Sequence, residues 1–397
     1  MLHLLRADAR TEKSLKVATL AKITPLETII RKQIAANGPM PVSRYMELCL
    51  THPDHGYYLK QDPLGRDGDF ITAPEVSQMF GELIGLWAAS VWAAIGSPSE
   101  VKFIELGPGR GTMMADALRA IKILPQFYKA VSVHLVEPSP ALRVKQDETL
   151  DRAKHVEWYD SLSDVPEGPS IILANEYFDV LPIHQVVKAD DGWHERMIDV
   201  DDDIFIYALA KEPTPRFEVL MPPQVRAAPN GAIYEWRPDT EIMDVARRVR
   251  DQGGAALIID YGHIRSDAGD TFQAVAKHSF TNPLRNPGDA DITAHVDFEA
   301  LAKAAETLGA RAHGPVEQGA FLNKLGIEQR SLTLMKNSSH EESVLVASAL
   351  KRLTGKGRNG MGQLFKVLGI SHPSIETLAA LSDMEPVASN VAGALKR

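Results

Sequence analysis

Apolar positions along the chain change their period several times, and each change marks an element. Thr24, Pro25 and Glu27 read as the N-cap, N1 proline and acidic first turn of a helix that stops at Asn37-Gly38-Pro39. A second helix is expected from about Ser43. Residues 51–75 mix Gly, Pro, Asp and aromatics without a period, which predicts a long loop of the kind that carries function. From Glu75 to Ala94, the positions Phe80, Leu83, Ile84, Trp87, Val91 and Trp92 recur at helical spacing and describe a core-facing stripe, ended by Gly96-Ser97-Pro98.

Short apolar runs then alternate with helical ones. Residues 101–106, 132–136, 170–174 and 255–260 read as strands, and 112–121 and 141–149 as helices, the signature of a parallel sheet covered on both faces. About 80 residues before the last of these strands break the alternation. Runs 193–200 and 204–210 around Asp201-Asp202-Asp203 look like an inserted hairpin, and a helix over 241–250 is stopped by Gly253-Gly254. A helix over 298–308 and a final strand over 363–368 complete the pattern. The expected fold class is α/β: a doubly wound, Rossmann-like sheet with an N-terminal helical and lid region and an inserted β-rich substrate region. Its expected parts are an extension (1–22), the helical region with the lid loop (23–100), the first part of the core (101–186), the insertion (187–250), the remainder (251–370) and a tail (371–397).

Composition narrows the classes. The 397 residues, 44% hydrophobic and 24% charged, are those of a folded globular protein with more chain than one core usually holds. A formal charge of −9 disfavours broad attraction to nucleic acid. The single cysteine, Cys49, lies in an apolar helical pattern and excludes an internal disulfide, so a reducing compartment fits. No run reaches the roughly 18–20 apolar residues that span a bilayer, so membrane insertion is not expected. His52 and His55 are three apart without a third ligand nearby in sequence, and no metal is expected. Within residues 1–22, Arg6, Arg10, Lys13, Lys16 and Lys22 interleave with leucines as in an organelle presequence, against which Asp8 and Glu12 count. The expected location is a bacterial cytoplasm, or the mitochondrial matrix if that segment is a presequence.

The first strand runs into Glu105-Leu106-Gly107-Pro108-Gly109-Arg110-Gly111, and then a helix. Glycines at such a turn let the backbone pass close to a nucleotide-like ligand. Thr112 stands where the dinucleotide fingerprint has its last glycine, and Glu105 would repel a pyrophosphate. S-adenosylmethionine has no phosphate and carries an ammonium and a sulfonium, so Glu105, Gly107, Gly109 and Gly111 suit it as methyl donor. Glu137, at the end of the second strand, is placed to accept hydrogen bonds from both ribose hydroxyls, with a solvated helix-start carboxylate as the alternative. Trp158 and Asp160, after the third strand, are candidates to flank the adenine and accept from its amino group; the alternative is ordinary packing and a turn residue.

Longer blocks accompany this turn. They are residues 68–75 with Phe80-Gly81-Glu82, residues 105–114, 174–182 (Ala-Asn-Glu-Tyr-Phe-Asp-Val-Leu-Pro), Asp260-Tyr261-Gly262, residues 288–298, Gln318-Gly319-Ala320-Phe321-Leu322, and residues 361–367. In this order, over about residues 25–370, they resemble the MidA-type branch of the class I S-adenosylmethionine-dependent methyltransferases, whose mitochondrial members assist respiratory complex I assembly. The resemblance implies a class I methyltransferase fold, S-adenosylmethionine as donor, and a protein substrate, in mitochondria an arginine of the complex I 49-kDa-type subunit. It leaves a homodimer open.

A guanidinium is a poor nucleophile because its lone pairs are delocalised and its pKa exceeds about 12. Carboxylates that grip two of its nitrogens can orient the third toward the methyl group. Glu176 and Asp179, after the fourth strand, and Asp69 and Glu75, from the expected lid, are the catalytic candidates. Asn175 is placed to hold the donor's methionine part or the acceptor, and Thr72 to bind the donor's carboxylate. Asp260, Tyr261 and His295 are site-adjacent. Caps and turns explain Asp69, Glu75 and Asp179 equally well. Two other functions stay open: methylation of a small molecule or another side chain, and a donor-binding assembly factor without catalysis.

Overall fold

The structure is a computed structural model that describes residues 23–60, 72–150, 154–214, 217–276, 279–336, 338–357 and 360–381. Its centre is a sheet of seven strands: β1 (Val101–Leu106), β2 (Val131–Val136), β3 (Val156–Tyr159), β4 (Ser170–Asn175), β5 (Gly254–His263), β6 (Arg311–Glu317) and β7 (Phe365–Ser371). They lie in the order β6-β7-β5-β4-β1-β2-β3, and the short strand Val296–Asp297 pairs with the end of β5. β1 to β5 run parallel, whereas β7 is antiparallel to both β5 and β6.

Neighbouring residues in one strand face opposite layers, which is why these strands read as nearly unbroken apolar runs. Phe103, Val133, Ile171, Leu173 and Leu257 pack on one face with Trp87 of α4 (Gln78–Ala94) and Met114 of α5 (Thr112–Ile121). Ile104, Leu106, Ile172 and Ile258 pack on the other with Val245 and Val249 of α7 (Thr240–Gln252) and Phe298 and Leu301 of α8 (Phe298–Thr307). α6 (Pro140–Thr149) follows β2.

α1 (Pro25–Asn37) is capped by the Thr24 hydroxyl, which accepts from the Glu27 amide, and it ends at Gly38 with φ +83°. The stripe expected as one helix over 75–94 is two, α3 (Ala73–Val76) and α4, because Ser77 turns extended and its hydroxyl accepts from the Met79 amide. α4 lies against α5 along small residues: a Cβ on Gly81 would stand 2.6 Å from the Asp116 Cβ, and one on Gly85 2.7 Å from the Ala117 carbonyl oxygen.

Two further sheets sit beyond the core. The expected hairpin is present as Gly192–Asp201 and Ile204–Leu209, turned by Asp202 and Asp203 at φ +42° and +62°. It extends an antiparallel sheet with His184–Ala189, Ile233–Trp236 and Met40–Pro41. Strands Ser279–Thr281, Gln273–Ala276 and Asp291–Thr293 make the other. Leu26 and Ile30 of α1 and Tyr45 and Met46 of α2 (Val42–Thr51) share one apolar core with Ile198, Phe205, Phe272 and Ile292, so the N-terminal helices bind both added sheets together. The final strand, expected over 363–368, is β7, and Met361–Leu364 before it is a helical turn. Among the described residues no helix is long and apolar enough to cross a membrane.

Candidate functional site

The C-terminal ends of the parallel strands open into one cavity of about 340 Å³. The glycine turn forms its first wall, with Gly107, Gly109 and Gly111 at φ +59°, +56° and +82°, a backbone shape that side chains resist. Gly107 also lies under the Tyr177 ring, where an added Cβ would meet Cδ2 at 2.8 Å.

Gln146 of α6, fully buried, clamps this wall from behind. Its Nε2 donates to the Gly109 carbonyl at 2.8 Å and to Glu137 Oε2 at 3.4 Å, and its Oε1 accepts from the Trp158 indole at 2.8 Å. Trp158 therefore supports the clamp and is not among the residues lining the cavity. The other Glu137 oxygen accepts from the Ser139 amide at 2.9 Å, and burial pushes the Glu137 carboxyl above its ordinary range. Arg143 ties this turn to the next by donating to the Glu137 carbonyl at 2.6 Å and to Asp160 at 2.5 Å. Glu105, only 3% exposed, has one carboxylate oxygen with no hydrogen-bond partner among the described residues, and burial raises its pKa to about 8.

α3 contributes Pro74 and Glu75 to the cavity lining. Glu75 accepts from the Thr112 hydroxyl at 2.6 Å, tying α3 to the helix after the glycine turn, and Thr72 lines the cavity beside it. The Ala73 amide donates to Glu176 at 3.1 Å. Asp69 lies outside the described residues.

The loop after β4 forms the second wall. Glu176 holds a left-handed backbone at φ +51°, pinned by its amide to the Ile259 carbonyl, an outlier of the kind found where a side chain is aimed for use. Burial, followed by the charge of Asp179, pushes the Glu176 carboxyl up to about 7. The Asn175 amide nitrogen donates to Glu176 at 3.2 Å, and its amide oxygen has no partner among the described residues. Asp179, 4% exposed, likewise keeps one oxygen unpartnered, and burial raises its pKa. Asp260 does not line the cavity: fully buried, it accepts from the amides of Phe178 (3.0 Å), Asp179 (3.2 Å) and Tyr261 (2.9 Å), fastening the loop to the end of β5. His295 also stays outside, its ring edge-on to Tyr261, which does line the cavity.

Several participants carried no recognised role in the sequence: Gln146, Arg237, Tyr58, Asp291 and Thr293. Arg237 donates to the carbonyls of His295 (2.7 Å), Ala294 (2.5 Å) and Asp179 (3.3 Å), joining the β4 loop to the strand at Asp291–Thr293. Tyr58 donates to Asp291 at 3.0 Å, and both line the cavity. Asp291 and Thr293 fall inside the quoted block 288–298, the one signal that pointed to them.

Among the described lining residues, the carboxylates Glu75, Glu105, Glu137, Asp160, Glu176, Asp179 and Asp291 face a single basic residue, Arg110. Such a wall attracts a cation rich in N–H donors and repels a polyphosphate.

Three comparisons agree with this chemistry. The family model described as "Putative S-adenosyl-L-methionine-dependent methyltransferase" matches residues 83–316. The mitochondrial Protein arginine methyltransferase NDUFAF7 homolog of Drosophila melanogaster is 38% identical over 390 residues, covering 90% of this chain and 86% of its own length. Protein arginine methyltransferase NDUFAF7 of Homo sapiens, also mitochondrial, is 38% identical, covering 81% and 78% respectively. In structure, a candidate methyl transferase from Burkholderia thailandensis bound to S-adenosyl-homocysteine superposes with a TM-score of 0.78 at 28% identity, over 94% of this chain and all of that one.

Proposed function

The chain belongs to this family of S-adenosyl-L-methionine-dependent methyltransferases, and from that premise we propose that its acceptor is an arginine side chain of a protein, with the 49-kDa-type subunit of NADH:quinone oxidoreductase as the candidate. The carboxylate-lined cavity carries the reading, with a buried oxygen on Glu105 and another on Asp179 that have no hydrogen-bond partner among the described residues.

The cavity fits the donor. The glycine turn leaves room for close backbone approach, Glu137 presents a buried carboxylate to the ribose, Asp160 stands at the adenine end, and the free oxygens of Glu105 and Asn175 suit a cationic methionine part. Bound S-adenosylmethionine supplies a methyl group on a positively charged sulfur. The residues of this chain supply alignment, exclusion of water and a place for the proton. Asp179 grips the guanidinium, and Glu176 beside it faces the nitrogen that meets the methyl group. The acceptor gives up one proton as its nitrogen is methylated, and Glu176, with a pKa near 7, is suited to take it. Thr72, before α3, and Glu75, within it, line the donor half.

Mass spectrometry of that subunit, from cells with and without this protein, tests the proposal. A methylated arginine that disappears in the deletion supports it. An unchanged arginine methylation state sinks it.

A further inference from the structure

The far end of the cavity contains more negative charge than the β4 loop alone supplies. Glu176, Asp179 and Asp291 line it and Asp260 lies behind the β4 loop, with the guanidinium of Arg237 beside Asp179 and Asp260 and the charge of Arg352 reaching Glu176. Asp260 spends its oxygens on three backbone amides. Arg237 spends its two terminal nitrogens on three carbonyls, and its Nε has no partner among the described residues. Asp179 is met by the Tyr261 hydroxyl and by the charge of Arg237, yet one of its buried oxygens still has no hydrogen-bond partner among the described residues.

Asp291 reaches the same space from the three-stranded sheet, 6% exposed and held by the Tyr58 hydroxyl at 3.0 Å. Tyr58 and Tyr261 each feel the charges of both Asp179 and Asp291, so the two carboxylates belong to one cluster although 112 residues separate them in sequence. Burial and these charges raise both tyrosine pKa values well above the ordinary one, so each keeps its proton at neutral pH and can only donate to a carboxylate. A neutral hydroxyl beside a buried carboxylate is a weaker partner than a guanidinium, whose hydrogen bonds are charge-assisted.

We propose that Asp179 and Asp291 are the two jaws that grip the acceptor cation, and that Tyr58 guards the site by occupying Asp291 until an incoming guanidinium displaces its hydroxyl. This rests on the arginine reading above and adds a second jaw and a gate. Tyr58 is then a specificity residue: a ligand must bring a donor better than a phenol to open the site.

The two roles carry opposite signs. Asp291→Asn removes a charge that the ligand uses. Tyr58→Phe removes a competitor for that charge. The probes are Nα-acetyl-arginine amide and Nα-acetyl-lysine amide, titrated by NMR into full-length protein saturated with S-adenosylhomocysteine, whose own affinity is measured first in every variant. The expected result is that Asp179→Asn and Asp291→Asn each weaken the arginine probe roughly tenfold, Tyr58→Phe tightens it about threefold, and S-adenosylhomocysteine affinity stays within about twofold throughout. A purely structural role for the Tyr58–Asp291 bond makes both of its variants weaken the probe, and that result overturns the gate. Absence of saturable binding by either probe overturns the grip. Equal binding of the two probes removes the arginine reading and leaves the two-carboxylate grip standing.

Discussion

Gly107→Ala isolates what the glycine turn contributes. At φ +59° an alanine pays the left-handed penalty, about 1–2 kcal/mol. The new methyl group would also stand 2.8 Å from Tyr177 Cδ2, well inside the usual carbon–carbon separation of about 3.5–4.0 Å. Tyr177 has little room to yield, because its hydroxyl reaches Glu241 at 3.5 Å and its ring packs edge-on against Phe178 at 5.5 Å. Strain and overpacking together come to roughly 2–4 kcal/mol. Relief requires the turn to shift, and the Gly107 amide, bonded to the Val136 carbonyl at 3.0 Å, couples that shift to the end of β2, beside Glu137. Gly326→Ala is the matched control: it holds a left-handed backbone at φ +93°, but the nearest atom to the added Cβ, Gln329 Oε1 at 3.5 Å, is in ordinary contact, so only the backbone penalty applies. Urea unfolding and calorimetry with S-adenosylhomocysteine read the two effects. Gly107→Ala should lose more stability than Gly326→Ala and bind at least about tenfold more weakly, while Gly326→Ala binds as wild type. Equal stability losses, or unchanged affinity in Gly107→Ala, would refute the reasoning.

Glu105 links stability to pH. Its folded pKa of about 8 lies above the ordinary 4.5, so the folded state retains a proton that the unfolded chain releases, and stability of the donor-free protein falls as pH rises from 4.5 toward 8. Glu105→Gln should flatten that slope, stabilise the donor-free protein by on the order of 2–4 kcal/mol at pH 8, and weaken S-adenosylhomocysteine; urea melts at pH 5 and 8 check the slope. Gln146→Ala strands the Trp158 indole and leaves the Gly109 carbonyl without its clamp, so about 2–4 kcal/mol of stability and much of the donor affinity should go, with a shift in tryptophan fluorescence. Arg330→Met should cost about 1–3 kcal/mol without changing donor affinity, because Glu82, 6% exposed, accepts from Arg330 at 2.7 and 2.9 Å on a face of α4 turned away from the cavity. A loss of donor binding in Arg330→Met would show that the two regions are coupled.

What the sequence revealed follows the physics of each element. β1, β2, β4 and β5 were legible because burial on both faces leaves a run of apolar residues with little else in it. β6 was not: at the sheet edge, only His313 of its seven residues is buried, so its sequence shows neither alternation nor an apolar run. The helices Ile327–Lys336 and His340–Thr354 also went unread, since each buries only two residues and the second keeps Val344 and Leu345 exposed.

The two halves of the site differ in the same way. Glu105, the glycine turn, Glu137 and Asp160 come from consecutive strand ends, so order in the chain is order in space, and a local motif can announce the site. The acceptor side is assembled from Tyr58, the β4 loop, Arg237, Tyr261 and Asp291, which meet only because α1 and α2 pack against both added sheets. No local pattern encodes that meeting: Glu176, Asp179 and Tyr261 were legible beside strand ends, whereas Tyr58, Arg237 and Asp291 carried no sign of it. Substitutions that reshape Asp291–Thr293 or the helix carrying Tyr58 can therefore change which acceptor enters while the glycine turn stays intact. In such a chain the donor motif reports the reaction, and the added sheets carry the specificity.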